Sequence, residues 1–253
     1  MMHTWISWVC SPEFLWSWIG LAVVVFIALT RIAAPYGRHG RGGWGPNLPA
    51  RLAWFLMEAV TLLGFGSCFL LAAAWSWPSL LFFLMYVGHY VYRACIYPWL
   101  CPPTAAPVPL SIVIMATVFN LINSSILGGY IFVVGSPLEV SALPVLLGTI
   151  LFVLGFFAHV RSDSILRRLR ADNGPGYHIP KGFLYRWVSC PNYLGEMVQW
   201  FGFAFALQSL AGWSFALWTT ANLLPRALRH HQWYQDRFDA YPTSRRAIIP
   251  GLL

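Results

Sequence analysis

Seven long apolar runs, each bounded by proline, glycine or charge, constrain this 253-residue chain more than any other feature. They lie at roughly 13–33, 52–75, 78–98, 107–133, 141–160, 192–210 and 212–235. Runs of this length are membrane-crossing helices rather than soluble strands, since about 20 apolar residues span a bilayer core. Composition agrees. Only 9% of residues are charged and 58% are hydrophobic, whereas a soluble domain carries about a quarter charged residues. A cytosolic globular enzyme, a disordered chain and a coiled coil are thereby excluded. Aromatic residues reach 17%, with 14 Trp, as interfacial belts and a large apolar cavity require. The expected fold is all-α, an integral membrane protein of about seven transmembrane helices forming a single domain over residues 1–253. The N-terminal stretch lacks a positive n-region and a small-residue cleavage site, so the first run is expected to be a retained span.

Of the 16 basic residues, 15 are Arg and the other is Lys181. With seven spans, every one of them falls on or near the face that holds the loops 34–51, 99–106 and 161–191 and the C-terminus. The opposite face holds Glu13 and Glu139 and no basic residue. This one-sided distribution predicts a cytoplasmic C-terminus and an outside N-terminus, and an even number of spans would break it. The net charge of +8 therefore reads as positive-inside bias and phosphate-binding guanidinium rather than nucleic-acid binding. Five scattered cysteines without a CxxC give neither a disulfide framework nor a zinc site. The one long polar segment, 161–191, is expected to begin as a helix leaving the membrane and to turn at Asn173, Gly174, Pro175 and Gly176.

Ionisable groups within a span are costly and mark function. Glu58 lies in the second run and Glu196 in the sixth, neither with a basic residue within a helical turn. Each needs a partner from another helix, a proton, or a water-filled cavity. Helical spacing gathers further polar residues into stripes: Tyr90, Arg93 and Tyr97; His159, Asp163, Arg167 and Arg170; Asn192, Glu196 and Gln199; Arg226, His230 and Tyr234. All four lie toward the basic face. Arginine beside Tyr and His suits an anionic, ring-bearing ligand, held by side chains because no GxGxxG turn or P-loop is present. His89 is expected to be a core histidine.

Several segments, in this order, resemble the membrane steroid 5α-reductases (3-oxo-5α-steroid 4-dehydrogenases): NLPARLAWFLMEAV at 47–60, GHYVYR at 88–93, RSDSILRRLR at 161–170, GYHIPKGFLYRWVSCPNYLGE at 176–196 and the C-terminal RALRHHQWYQDRFDAYPTSRRAIIP. The resemblance implies a seven-helix membrane fold that uses NADPH to reduce the 4,5 double bond of 3-oxo-Δ4 steroids. It implies that Glu58 and Tyr90 contact the steroid 3-oxo group, with Trp54 and Met57 beside them on the substrate. It places Asp163, Arg170, Tyr177, Asn192, Glu196, Arg226, His230 and Tyr234 around NADPH, with His159, Arg167, His178 and Arg245 in the same set. Most cofactor contacts thus fall in 161–253. Tyr36 and Arg38 match a first-loop motif that closes on the nucleotide end. Met57, His159 and His178 depart from the family pattern, which favours Gln, Asn and Arg there. The implied partners are a steroid or related enone lipid and the lipid bilayer of a bacterial inner membrane or endoplasmic reticulum, without nucleic acid or an obligate protein partner.

The chemistry needs these residue types. Hydride addition to the β-carbon of an enone builds negative charge on the 3-oxygen, which hydrogen-bond donors stabilise. A Tyr hydroxyl donates directly, and a Glu donates only when protonated. Two other functions share parts of the pattern. SCPNYLGE is locally similar to the cofactor motif of isoprenylcysteine-type membrane methyltransferases, and a non-enzymatic lipid carrier would need no Glu58. A haem protein using His89, His159 or His230 lacks paired ligand spacing.

Overall fold

A computed structural model describes residues 1–35, 37–101, 105–135, 138–174 and 176–253, with the Arg38 side chain outside the description. Helix α1 (Met2–Val9) and α2 (Pro12–Arg31) are separated at Ser11, whose hydroxyl caps the Phe14 amide. A short strand β1 (Asn47–Leu48) precedes α3 (Ala50–Leu70). Helix α4 (Trp77–Tyr90) runs through a π-helical segment, Val91–Ile96, into α5 (Tyr97–Leu100). Strand β2 (Val108–Pro109) pairs antiparallel with β1 and leads into α6 (Leu110–Gly129), which ends in a second π-helical segment, Tyr130–Val134. Helices α7 (Ala142–Asn173), α8 (Pro191–Leu207) and α9 (Leu210–Arg237) complete the bundle.

Among the described residues five helical stretches are long and apolar enough to cross a membrane: Pro12–Arg31, Ala50–Leu70, Trp77–Leu100, Leu110–Val134 and Ala142–Asn173. Helical segments stand at all seven expected positions, but α8 and α9 do not meet that measure. Helix α8 has 17 residues and includes Glu196, and the second half of α9 is polar. The break between them falls at Gln208, in the left-handed conformation, and Ser209, which caps Gly212. Helix α1 was not expected as a separate element. Its buried face, Ile6 and Val9, packs on α6 at Gly129, where a Cβ would come within 2.6 Å of the Ile6 side chain.

An aromatic core fills the middle of the bundle. Phe65 of α3 stacks on Tyr86 of α4 at 3.9 Å, and Trp200 of α8 meets Phe215 of α9 edge-on at 4.5 Å. The close pairing of α7 with α8 positions the polar chemistry. Gly148 and Gly155 face Gly202 and Gly195, so the two backbones touch. A Cβ at Gly195 would lie 2.5 Å from the His159 amide nitrogen. This contact sets His159 and Asp163 directly against Asn192 and Glu196.

Two backbone straps close the polar end. Leu110 N donates to Pro46 O and Ser111 Oγ to Trp44 O, while Arg51 donates twice to Cys101 O. The C-terminal strand-like segment bridges back to the start of α8. Ser189 N donates to Arg246 O, Cys190 N donates to Ala247 O, and Ser189 Oγ lies 2.6 Å from both His231 Nδ1 and the Tyr241 hydroxyl.

Candidate active site

A cavity of about 840 Å³ opens at the polar end of the bundle. Helix α7 is continuous and regular over 32 residues, so the period of 3.6 holds along it. His159, Asp163, Arg167 and Arg170 accordingly line one wall. Asn192 and Glu196 of α8 stand beside them, and Arg226, His230 and Tyr234 of α9 form the facing wall with Tyr177 from the turn after α7. Three of the four sequence stripes therefore converge, with Gln199 alone turned away from the cavity.

His159 is the centre of a buried polar knot. Its Nδ1 lies 3.2 Å from Asn192 O and 3.6 Å from Glu196 Oε2, and its Nε2 lies 3.6 Å from Asp163 Oδ2. Asn192 Nδ2 donates to Asp163 Oδ1 at 3.0 Å. Arg167 donates to the Tyr92 hydroxyl at 3.2 Å, and the Arg170 guanidinium lies 6.0 Å over the Tyr177 ring. His230 is flanked by rings, with Tyr193 and His39 each at 5.6 Å. The wall that follows is apolar: Ala50, Trp54, Leu100 and Val108. Cys101 closes it, and burial pushes its thiol above the ordinary range.

The fourth stripe divides. Arg93 and Tyr97 line the cavity, whereas Tyr90 does not. The π-helical turn at Val91–Ile96 widens the period locally, so a spacing counted at 3.6 residues no longer keeps the three on one face. Tyr90 instead packs on Tyr86 at 4.6 Å and faces Trp200, and is nearly buried. Glu58 also stands behind the wall, 8% exposed. Of the three ways a membrane carboxyl can be accommodated, it uses a partner from another helix: Arg93 Nη2 donates to Glu58 Oε1 at 3.0 Å. His89 is buried as expected, hydrogen bonded with Gln199 at 2.9 Å.

Besides Tyr90 and Glu58, three further sequence-assigned residues lie outside the cavity lining, for local reasons. Met57 is buried against α6, where its carbonyl accepts from Asn120 Nδ2 at 2.7 Å. His178 lies on the other side of α7, in a separate cleft with Arg168, Asp172 and Lys181. Arg245 is 4% exposed, donates to Pro180 O at 2.9 Å and covers the Tyr241 ring, so it locks the C-terminal strap. Tyr36 and the Arg38 side chain lie outside the described residues. The cavity adds residues without a sequence-assigned role: His39, Tyr193 and Arg229, besides Arg93 and Tyr97. Arg229 also donates to Thr30 O and Arg31 O at 2.8 Å, tying α9 to the end of α2.

Comparison with known proteins gives a consistent result. Residues 106–253 match the family model described as 3-oxo-5-alpha-steroid 4-dehydrogenase. The chain is 38% identical over 240 residues to a steroid 5-alpha-reductase of Gossypium hirsutum, covering 91% of this chain and 92% of the relative. It is 34% identical over 244 residues to 3-oxo-5-alpha-steroid 4-dehydrogenase 1 of Bos taurus, covering 92% and 93%. It is 35% identical over 236 residues to the Homo sapiens protein of the same name, covering 90% of each.

Proposed function

The chain belongs to the 3-oxo-5-alpha-steroid 4-dehydrogenase family, oxidoreductases acting on a CH–CH bond, and on that premise we propose that it reduces the 4,5 double bond of a 3-oxo-Δ4 steroid with NADPH. The observation that carries this reading is the division of one cavity into two chemistries. Four arginines, Arg167, Arg170, Arg226 and Arg229, line it together with the rings of Tyr177, Tyr193, His230 and Tyr234. Planar guanidinium forks match phosphate oxygens, and the rings match a nicotinamide and an adenine. Asn192 and Glu196 add amide and carboxyl groups of the kind that hold ribose or carboxamide. The other wall, Ala50, Trp54, Leu100 and Val108, is apolar enough for a fused hydrocarbon ring system.

The arginines and rings lining the cavity would hold NADPH, whose chemistry there would be delivery of a hydride to C5, the β-carbon of the enone. The apolar wall holds the steroid rings and keeps water from the reacting carbons. As the C4–C5 π electrons shift, negative charge grows on the 3-oxygen. We assign the hydrogen bond to that oxygen to the Tyr90 hydroxyl. Tyr90 and Glu58 both stand behind the cavity lining, so this contact requires the Tyr90 side chain to turn toward the bound steroid. One proton then adds to C4, so NADPH, H⁺ and enone become NADP⁺ and the saturated 3-oxo steroid. Residues 161–253 supply most of the cofactor side of the cavity, within one membrane domain. We place α8 and α9 in the membrane as the sixth and seventh spans, with the C-terminus cytoplasmic, because that arrangement keeps every basic residue on one side.

The test is incubation of the purified protein with testosterone and NADPH. A 5α-reduced product with stoichiometric NADP⁺ is expected. Absence of steroid reduction across 3-oxo-Δ4 substrates, or NADPH consumption without it, would overturn the assignment.

A further inference from the structure

Behind the cavity wall, the pairing of Arg93 with Glu58 raises the question of what this arginine does. We propose that Arg93 is a positioning residue: it holds the Glu58 side chain as a paired carboxylate and leaves Tyr90 as the O–H donor to the steroid oxygen. The inference rests on the reductase reading above.

Geometry carries it. Arg93 sits in the π-helical turn three residues after Tyr90, and a widened turn is an uncommon feature often found at functional sites. Its Nη2 is 3.0 Å from Glu58 Oε1, and the two side chains are only 13% and 11% exposed. A charge-assisted bond between such little-solvated groups is strong, and removing either partner leaves an uncompensated charge. The guanidinium is held from its other sides by rings, 5.0 Å from the Trp54 centroid and 5.3 Å from that of Tyr97. Its Nε and Nη1 make no hydrogen bond with the described residues. Its backbone position is therefore fixed by the turn, its plane by two rings and its charge by Glu58.

The rival reading makes Arg93 a further cofactor arginine, since it lines the same cavity. The two readings separate in kinetics. The four other cavity arginines come from α7 and α9, whereas Arg93 comes from the α4 side and is already committed to a carboxylate. A phosphate ligand would show its loss in NADPH affinity. A group that acts through Glu58 shows its loss in turnover.

The experiment uses the full-length protein in lipid nanodiscs, with wild type, Glu58→Gln, Arg93→Met, Arg93→Lys and the Glu58→Gln/Arg93→Met double variant. Infrared difference spectra of wild type against Glu58→Gln report the state of this one carboxyl, independently of turnover. The expected difference is an ionised carboxylate band in wild type, replaced by a protonated carbonyl band when the same comparison is made in the Arg93→Met background. With testosterone, Arg93→Met should lower kcat about 100-fold and leave the NADPH Kd within about threefold. Arg93→Lys should recover part of that loss, and the double variant should be no worse than the poorer single one. A protonated carboxyl band in wild type overturns the proposal. So does a large rise in NADPH Kd with kcat unchanged. If Arg93→Met does not fold, the wild-type spectrum and Arg93→Lys still decide. If wild type fails to reduce any steroid, the reductase reading falls, while the infrared band separately tests how Glu58 is held.

Discussion

Replacing Gly195 with Ala tests whether the backbone contact between α7 and α8 builds the proposed cofactor site. The new Cβ would lie 2.5 Å from His159 N, 2.7 Å from Gly155 O and 3.0 Å from the Ala158 carbonyl carbon. All three are backbone atoms, so no side chain can rotate away. Ordinary contact begins near 3.4 Å, so the helices must part by about 0.9 Å at this level, the difference between 3.4 and 2.5 Å. About one turn along the same helix pair lies the Asn192–Asp163 hydrogen bond at 3.0 Å. Opened by that amount it reaches about 3.9 Å and no longer qualifies as a hydrogen bond. Overpacking of this kind costs about 1–3 kcal/mol, and a hydrogen bond to a charged group contributes about 1.5–3 kcal/mol. The site should lose at least tenfold in NADPH affinity, since about 1.4 kcal/mol is tenfold, and the apparent Tm should fall by several degrees. Fluorescence titration with NADPH and thermal melting in detergent measure both. Gly66→Ala is the control, because a Cβ there meets nothing within 4 Å. A Gly195→Ala protein with wild-type Tm and an NADPH Kd within twofold would refute the claim that this contact holds the site together.

Glu58→Gln should lose about 100- to 1000-fold in kcat with testosterone while retaining NADPH binding. Tyr90→Phe should cost a comparable factor, and their combination less than the product, because both serve one step, Tyr90 as the donor and the Arg93-paired Glu58 through the arrangement of the site around it. Retention of activity within about threefold in Glu58→Gln would make Glu58 a structural tie. Arg170→Ala should raise the KM for NADPH more than that for the steroid, and the wild type should prefer NADPH to NADH because guanidinium groups can pair with the 2′-phosphate. Equal kcat/KM for the two cofactors would remove that argument. A reporter fused after Leu253 should read as cytoplasmic, and an external signal would sink the seven-span arrangement.

How much of this was legible in the residues depended on how locally each feature is specified. The α7 stripe was readable because one regular helix carries it: His159, Asp163, Arg167 and Arg170 follow a single period and all line the cavity. The Tyr90, Arg93 and Tyr97 stripe was misread because the π-helical turn changes that period within seven residues, a change that composition does not announce. Helix α1 was hidden for a related reason. Its apolar residues run almost directly into those of α2, and only Ser11 and Pro12 mark the break. His178 and Arg245 lie outside the cavity lining, and local likeness cannot say on which side of α7 a loop passes or where the C-terminal strap docks. Glu58 shows the limit most clearly. Its position within an apolar run already demanded a partner, a proton or a cavity. Choosing among them required knowing that Arg93, 35 residues away, meets it across the α3 and π-helical elements. The cost of burying one carboxyl is written in the local sequence. Its compensation is a tertiary fact, and for a carboxyl in a membrane interior the two must be read together.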